Sequence, residues 1–201
     1  MICRWSSRFL ANSDIRIILA ISSRKSAIQK AREYLAVRPV FLDTETTGLD
    51  PSAEIIEMCV VNHDGTVLLE TYVKPVRPIP LDAVRIHGIS GEMVADAPNW
   101  PEVWPTVEAV IRGRYIGIYN AEFDLKMMRQ SQQRYGMAWE FPFSRVFDVM
   151  KLYADYSANQ RWVSLETAGR QCGIPLPNSH RARADTLLLR EVFQFIASRT
   201  P

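Results

Sequence analysis

Three apolar, β-branched runs divided by short turns, then a change to alternating helical and strand patterns, leave this chain few folds to adopt. "VFLDTE" starts at Val40, "EIIEMCVV" at Glu54 and "TVLLETYVKP" at Thr66. The second and third flank "NHDG", whose Asp-Gly pair favours a tight hairpin turn. The first three strands are therefore expected to form an antiparallel meander. After the proline-rich "KPVRPIP" come a short helix near 81–85, a helix through "WPEVWPTVEAVIRG" and a strand "RYIGIYN". A helix through "AEFDLKMMRQSQQRYG", a strand "RVFDV" and helices near 149–156, 164–172 and 182–197 complete the pattern. A hairpin meander followed by helix–strand alternation predicts an α/β fold, with a central mixed five-stranded sheet flanked by helices.

Residues 1–23 show no sustained periodicity, whereas "SRKSAIQKAREYLAVR" sets Ala27, Ile28, Ala31, Tyr34 and Leu35 on one stripe beneath a basic face. The expected organisation is an N-terminal extension, 1–38, with a basic helix at about 24–37, followed by a domain over 39–198. A chain of 201 residues can bury a sizeable core within one such domain. The extension is expected to offer a docking segment for a protein partner or for nucleic-acid phosphates. The apolar stretch "IRIILAI" is far shorter than the roughly 20 residues of a membrane span and carries Arg16. With no small-residue cleavage site after it, and with 3 cysteines that form no CxxC spacing, the expectation is a cytoplasmic protein with reduced thiols and no membrane contact. A net charge of +2 is compatible with nucleic acid without requiring it.

Charge placement is more informative than charge total. Asp43 and Glu45 stand two residues apart on the first strand, so they point to the same face about 6.6–6.8 Å apart along the chain. Taken alone, the pair reads equally well as an exposed strand end running into the turn "TTGLD". Asp124 follows the fourth strand where a loop enters a helix, and Asp185 opens the last helix. If the first and fourth strands are neighbours, all four carboxylates can converge, an arrangement that calls for cations. Oxygen ligands without a Cys/His cluster suit Mg²⁺ or Mn²⁺ rather than zinc. His180 precedes Asp185 by five residues, about 140° around a helix, so the two share a site only if His180 lies in the loop before the helix. There an imidazole can take a proton at neutral pH, although a histidine before a helix also serves as an ordinary cap.

"DTETTG", "YNAEFD" and "HRARAD", in that order, resemble the three motifs of the DEDDh family, the DnaQ-like 3′–5′ exonucleases that include replicative proofreading subunits. The resemblance spans about residues 38–198. It implies an RNase H-like fold and two divalent metal ions, Mg²⁺ or Mn²⁺, held by Asp43, Glu45, Asp124 and Asp185, with His180 as general base. It further implies hydrolysis at the 3′ ends of nucleic acid, single-stranded DNA being favoured, with release of nucleoside 5′-monophosphates. Thr46, Leu49, His87 and Phe123 match positions that contact the terminal nucleotide in relatives, while Asn120 is expected mainly to pin the loop that carries Asp124. Two departures stand out: Tyr119 where relatives commonly have histidine, and the 38 residues ahead of the first strand. The competing readings are an RNA 3′-end trimming or processing nuclease, and a non-catalytic nucleic-acid-binding module on the same fold. A haloacid-dehalogenase-type phosphotransferase also opens on a strand with paired acids, but Glu45 replaces its second Asp and His180 would have no task.

Overall fold

A computed structural model describes residues 12–141, 145–157, 161–176 and 180–200. Five strands form one mixed sheet in the order β3-β2-β1-β4-β5. Strands β1 (Val40–Thr46), β2 (Ile55–Asn62) and β3 (Val67–Tyr72) make the expected antiparallel meander. Strands β4 (Ile116–Ile118) and β5 (Val146–Asp148) then add in parallel beside β1. The apolar run of β2 is buried on both faces, whereas β3, at the edge, alternates between half-buried and exposed. That contrast is what a covered central strand and an edge strand require.

Helices cover both faces. One layer contains α1 (Asn12–Ala36), α5 (Val149–Ser157), α6 (Leu165–Gln171) and α7 (Ala182–Ser198), packed on Phe41, Phe147 and Phe193. The other holds α3 (Trp100–Ile111) and α4 (Ala121–Arg134) over Val40, Leu42 and Ile118. A short α2 (Leu81–His87) stands beside the end of β1. Helix α3 starts with a capping box, in which Asn99 and Glu102 each accept the other's backbone N–H. Gly117 lets β4 fit between two rings: a Cβ there would lie 2.7 Å from Phe147 and 2.8 Å from Phe41. No described helix is long and apolar enough to cross a membrane.

The helix expected at 24–37 lies inside a longer one that begins at Asn12. Leu19 and Ile21 are exposed, so neither extends the buried stripe that starts at Ala27. From Ala27 onward the helix belongs to the core: Ala27, Ile28 and Ala31 are fully buried, and Tyr34 stacks on Phe147 with ring centroids 4.2 Å apart. Two of its basic residues are used within the fold. Arg24 donates to the Tyr156 hydroxyl, and Arg32 donates to the Ala197 and Arg199 carbonyls, which the end of α7 would otherwise leave unpaired.

Candidate active site

Side-chain alternation along β1 divides its polar residues between the two layers. Asp43 and Glu45 share a face with Phe41 and look toward α7, whereas Thr44 looks toward α4. Asp185, in the first turn of α7, closes the α7 side, so that carboxylate oxygens of Asp43, Glu45 and Asp185 lie within 4.8 Å of one another. Asp124 enters from the other layer, in the first turn of α4. It is buried, and its Oδ1 accepts a 2.7 Å hydrogen bond from the Thr44 hydroxyl. The structure thus brings three of the four expected carboxylates into one cluster and holds the fourth across the strand. Asp124 nonetheless remains close enough to raise the Asp43 pKa.

Burial and like charge act together here. Asp43 is raised well above the ordinary carboxylate range by desolvation first, then by Asp124, Asp185 and Glu45. Glu45 is pushed up to about 8 by burial and then by Asp185 and Glu57. Asp124 reaches about 7 through burial, opposed by the Thr44 hydrogen bond. Desolvation also raises Asp185, offset by the His180 backbone N–H that donates to its Oδ2 at 3.0 Å and by the His180 ring. An all-oxygen donor set of mutually repelling carboxylates matches the preference of hard divalent cations, so these residues fit the metals that the fold family uses.

His180 lies before α7, as the five-residue spacing requires, in a left-handed conformation (φ 64) and with its side chain exposed. A cavity of about 490 Å³ opens beside the cluster, with Glu45 in its wall. Thr46, Leu49, His87 and Phe123 also line it, so four sequence-expected substrate residues share one space. Leu49 is 76% exposed at the rim, while Thr46 is buried and commits its hydroxyl proton to the Gly48 carbonyl. His87 is buried, and its Nδ1 accepts from the Ile89 N–H, which puts the ring proton on Nε2. Nε2 is fully buried toward the Thr46 backbone; burial lowers the pKa of the ring, opposed by that backbone contact.

Asn120 acts through its backbone. It precedes α4 in a left-handed conformation, and its N–H and that of Ala121 point at the two oxygens of Asp148, 3.3 and 3.2 Å away. Tyr119 donates its hydroxyl to the Val163 carbonyl. The sequence reading missed Thr44, Asp148, Glu57 and Arg181. Asp148 ends β5 in register with Ile118, so a carboxylate closing a short strand beside β4 was the available signal. Glu57 is a further carboxylate, buried, paired across the ladder with Glu45 and held by the Arg181 guanidinium at 2.6 Å. Its signal was the register itself, which the sequence does not display.

Residues 40–193 match the family described as RNase_T exonucleases. The chain is 34% identical over 180 residues to an uncharacterised exonuclease of Escherichia phage 186, covering 84% of this chain and 93% of the phage protein. It is 32% identical over 163 residues to the DNA polymerase III subunit epsilon-like protein of Rhodobacter capsulatus, covering 77% of this chain but 23% of that protein. Among solved structures, the nuclease domain of 3′hExo, a DEDDh family member bound to rAMP, superposes with a TM-score of 0.67 at 19% identity, over 78% of this chain and 89% of that one.

Proposed function

This chain belongs to the DnaQ-like 3′–5′ exonuclease family, and from that premise we propose that it removes nucleotides from the 3′ ends of single-stranded DNA, releasing nucleoside 5′-monophosphates. One observation carries the reading: Glu45 belongs both to the carboxylate cluster and to the wall of the adjoining cavity. A nucleotide seated in that cavity has its phosphate next to the acids. The volume of about 490 Å³ lies within the range of small-molecule sites and suits one terminal nucleotide rather than a duplex.

Asp43, Glu45 and Asp185, with Asp124 beside them, would hold two Mg²⁺ or Mn²⁺ ions. Bound there, such ions stabilise the charge that develops on the attacking and leaving oxygens of an in-line displacement at phosphorus. The chain's own residues do the rest. The His180 ring takes the proton of the attacking water, which forms the new P–O bond as the bond to the 3′ oxygen of the preceding nucleotide breaks. The Phe123 ring offers a face for the terminal base and Leu49 an apolar edge against it, while the buried His87 ring forms part of the wall beside Thr46.

The test is release of mononucleotide from 3′-labelled single strands of DNA and RNA, and from duplex ends, in Mg²⁺ and in Mn²⁺. Single-stranded DNA should be degraded fastest. Asp43→Ala should abolish turnover, and His180→Ala should lower kcat by about 100-fold or more with little change in the metal concentration required. Absence of 5′-mononucleotide from every substrate in both metals would refute the proposal. Faster release from RNA would replace single-stranded DNA by RNA as the substrate.

A further inference from the structure

The start of α7 must be fixed accurately, because the site draws His180 and Asp185 from either side of it, and one side chain between them reaches back to the sheet. Glu45, Glu57 and Tyr72 form a row across β1, β2 and β3, since Glu57 pairs with Glu45 on one side and with Tyr72 on the other. Residues paired across adjacent strands project from the same face. Arg181 lies over the outer part of this row. Its Nε and Nη2 donate to the Glu57 carboxylate at 3.2 and 2.6 Å, and Nη2 also donates to the Tyr72 hydroxyl at 2.7 Å. The remaining capacity of Glu57 goes to the helix: its Oε2 accepts the Ala182 N–H at 2.9 Å, one of the donors that the first turn of α7 leaves without an intrahelical partner. The Arg181 backbone completes the connection, because its carbonyl accepts the Asp185 N–H at 3.0 Å.

The geometry points to Glu57 and Arg181 as a pair of positioning residues that locks the start of α7 to the sheet beside Glu45, and so sets Asp185 and His180 for metal binding and turnover. The pair has a second effect. Glu57 neighbours Glu45 on the same face, and the guanidinium occupies its carboxylate, so this acid is spent on the latch instead of joining the cluster. Asp43, Glu45 and Asp185 are left as the group facing one another. The inference rests on the metal-site reading above, and metal affinity measured without substrate separates the two.

Manganese binding is titrated by calorimetry and single-strand hydrolysis is measured on wild type, Tyr72→Phe, Arg181→Met and the double variant Glu57→Gln/Arg181→Met, alongside the thermal midpoint of each. Arg181→Met leaves Glu57 buried without its partner and should lose stability. The double variant removes that charge and should recover the midpoint. Neither should recover function: manganese affinity and kcat should each stay about 10-fold or more below wild type, with KM for the strand within about threefold, as expected when the support behind metal ligands is lost. Tyr72→Phe should fall between wild type and Arg181→Met. Wild-type manganese affinity in Arg181→Met, or recovery of affinity together with stability in the double variant, would overturn the inference. Wild type that binds manganese without hydrolysing nucleic acid would refute the exonuclease proposal and leave this one to stand or fall on the affinities. Wild type that binds no manganese would end both.

Discussion

A carboxyl group buried among other carboxyl groups stabilises the fold only while it carries its proton. Asp43 is raised well above its ordinary value, Glu45 to about 8 and Asp124 to about 7, burial being the largest cause for each. In the unfolded chain the same groups titrate near pH 4. Folding therefore takes up protons, and the contribution of these groups is full below about pH 4 and is lost as pH rises through 7 and 8. In chelator, the thermal midpoint is expected to fall steadily from pH 5 to pH 8.5. Asp43→Asn should flatten that slope and raise the midpoint at pH 8.5, by about 2–4 °C for each kcal/mol of repulsion relieved. A metal-free wild-type midpoint that rises over the same interval would contradict the placement of these acids. Much of the cluster was legible at this scale: the two-residue spacing of Asp43 and Glu45 gives a shared face, and the five-residue spacing of His180 and Asp185 gives a loop before a helix. The hydroxyl of Thr44 was not legible as the partner of Asp124, because that contact depends on how α4 sits against β1.

At the scale of elements, hairpin turns and hydrophobic periods yielded the meander, the later alternation and nearly every helix, because each is set by residues close in sequence. What escaped was set by distant partners. Leu19 and Ile21 in the early turns of α1 are exposed, and the importance of its later turns comes from α5 and α7, more than 100 residues onward. Helix α1 is a core element from Ala27, so Ile28→Ala should cost about 2–5 kcal/mol in urea unfolding, as for other fully buried aliphatic residues. Gly117→Ala tests the opposite fault. Its new methyl group would meet the Phe41 and Phe147 rings at under 3 Å, and the rings are themselves held by Phe193 and Tyr34, so relief requires the cluster to move. A loss of about 1–3 kcal/mol is expected. Loss at Ile28 no greater than at an exposed site such as Leu19→Ala would remove α1 from the core.

At the scale of the molecule, the site is a meeting point: β1 supplies Asp43 and Glu45, α7 supplies Asp185 from one layer, and α4 supplies Asp124 from the other. From sequence this convergence followed only on the condition that the first and fourth strands are neighbours, and the sheet order β3-β2-β1-β4-β5 meets it, bringing together residues separated by most of the chain. It also makes metal binding a property of the whole fold. An ion that binds the folded cluster and not the unfolded chain stabilises every element that must be in place to form it, by about 2.7 kcal/mol at 100 times its dissociation constant. Manganese should therefore raise the midpoint of global unfolding, with all probes moving together, and a chelator should reverse the shift. Protons compete for the same oxygens, so the shift should be larger at pH 8 than at pH 5.5, the opposite trend to the metal-free midpoint. Asp43→Asn should be more stable than wild type in chelator at pH 8 and gain less from manganese, so the order of the two proteins narrows or inverts as metal is added. An equal metal-induced gain in both would place the ion elsewhere than between β1 and α7.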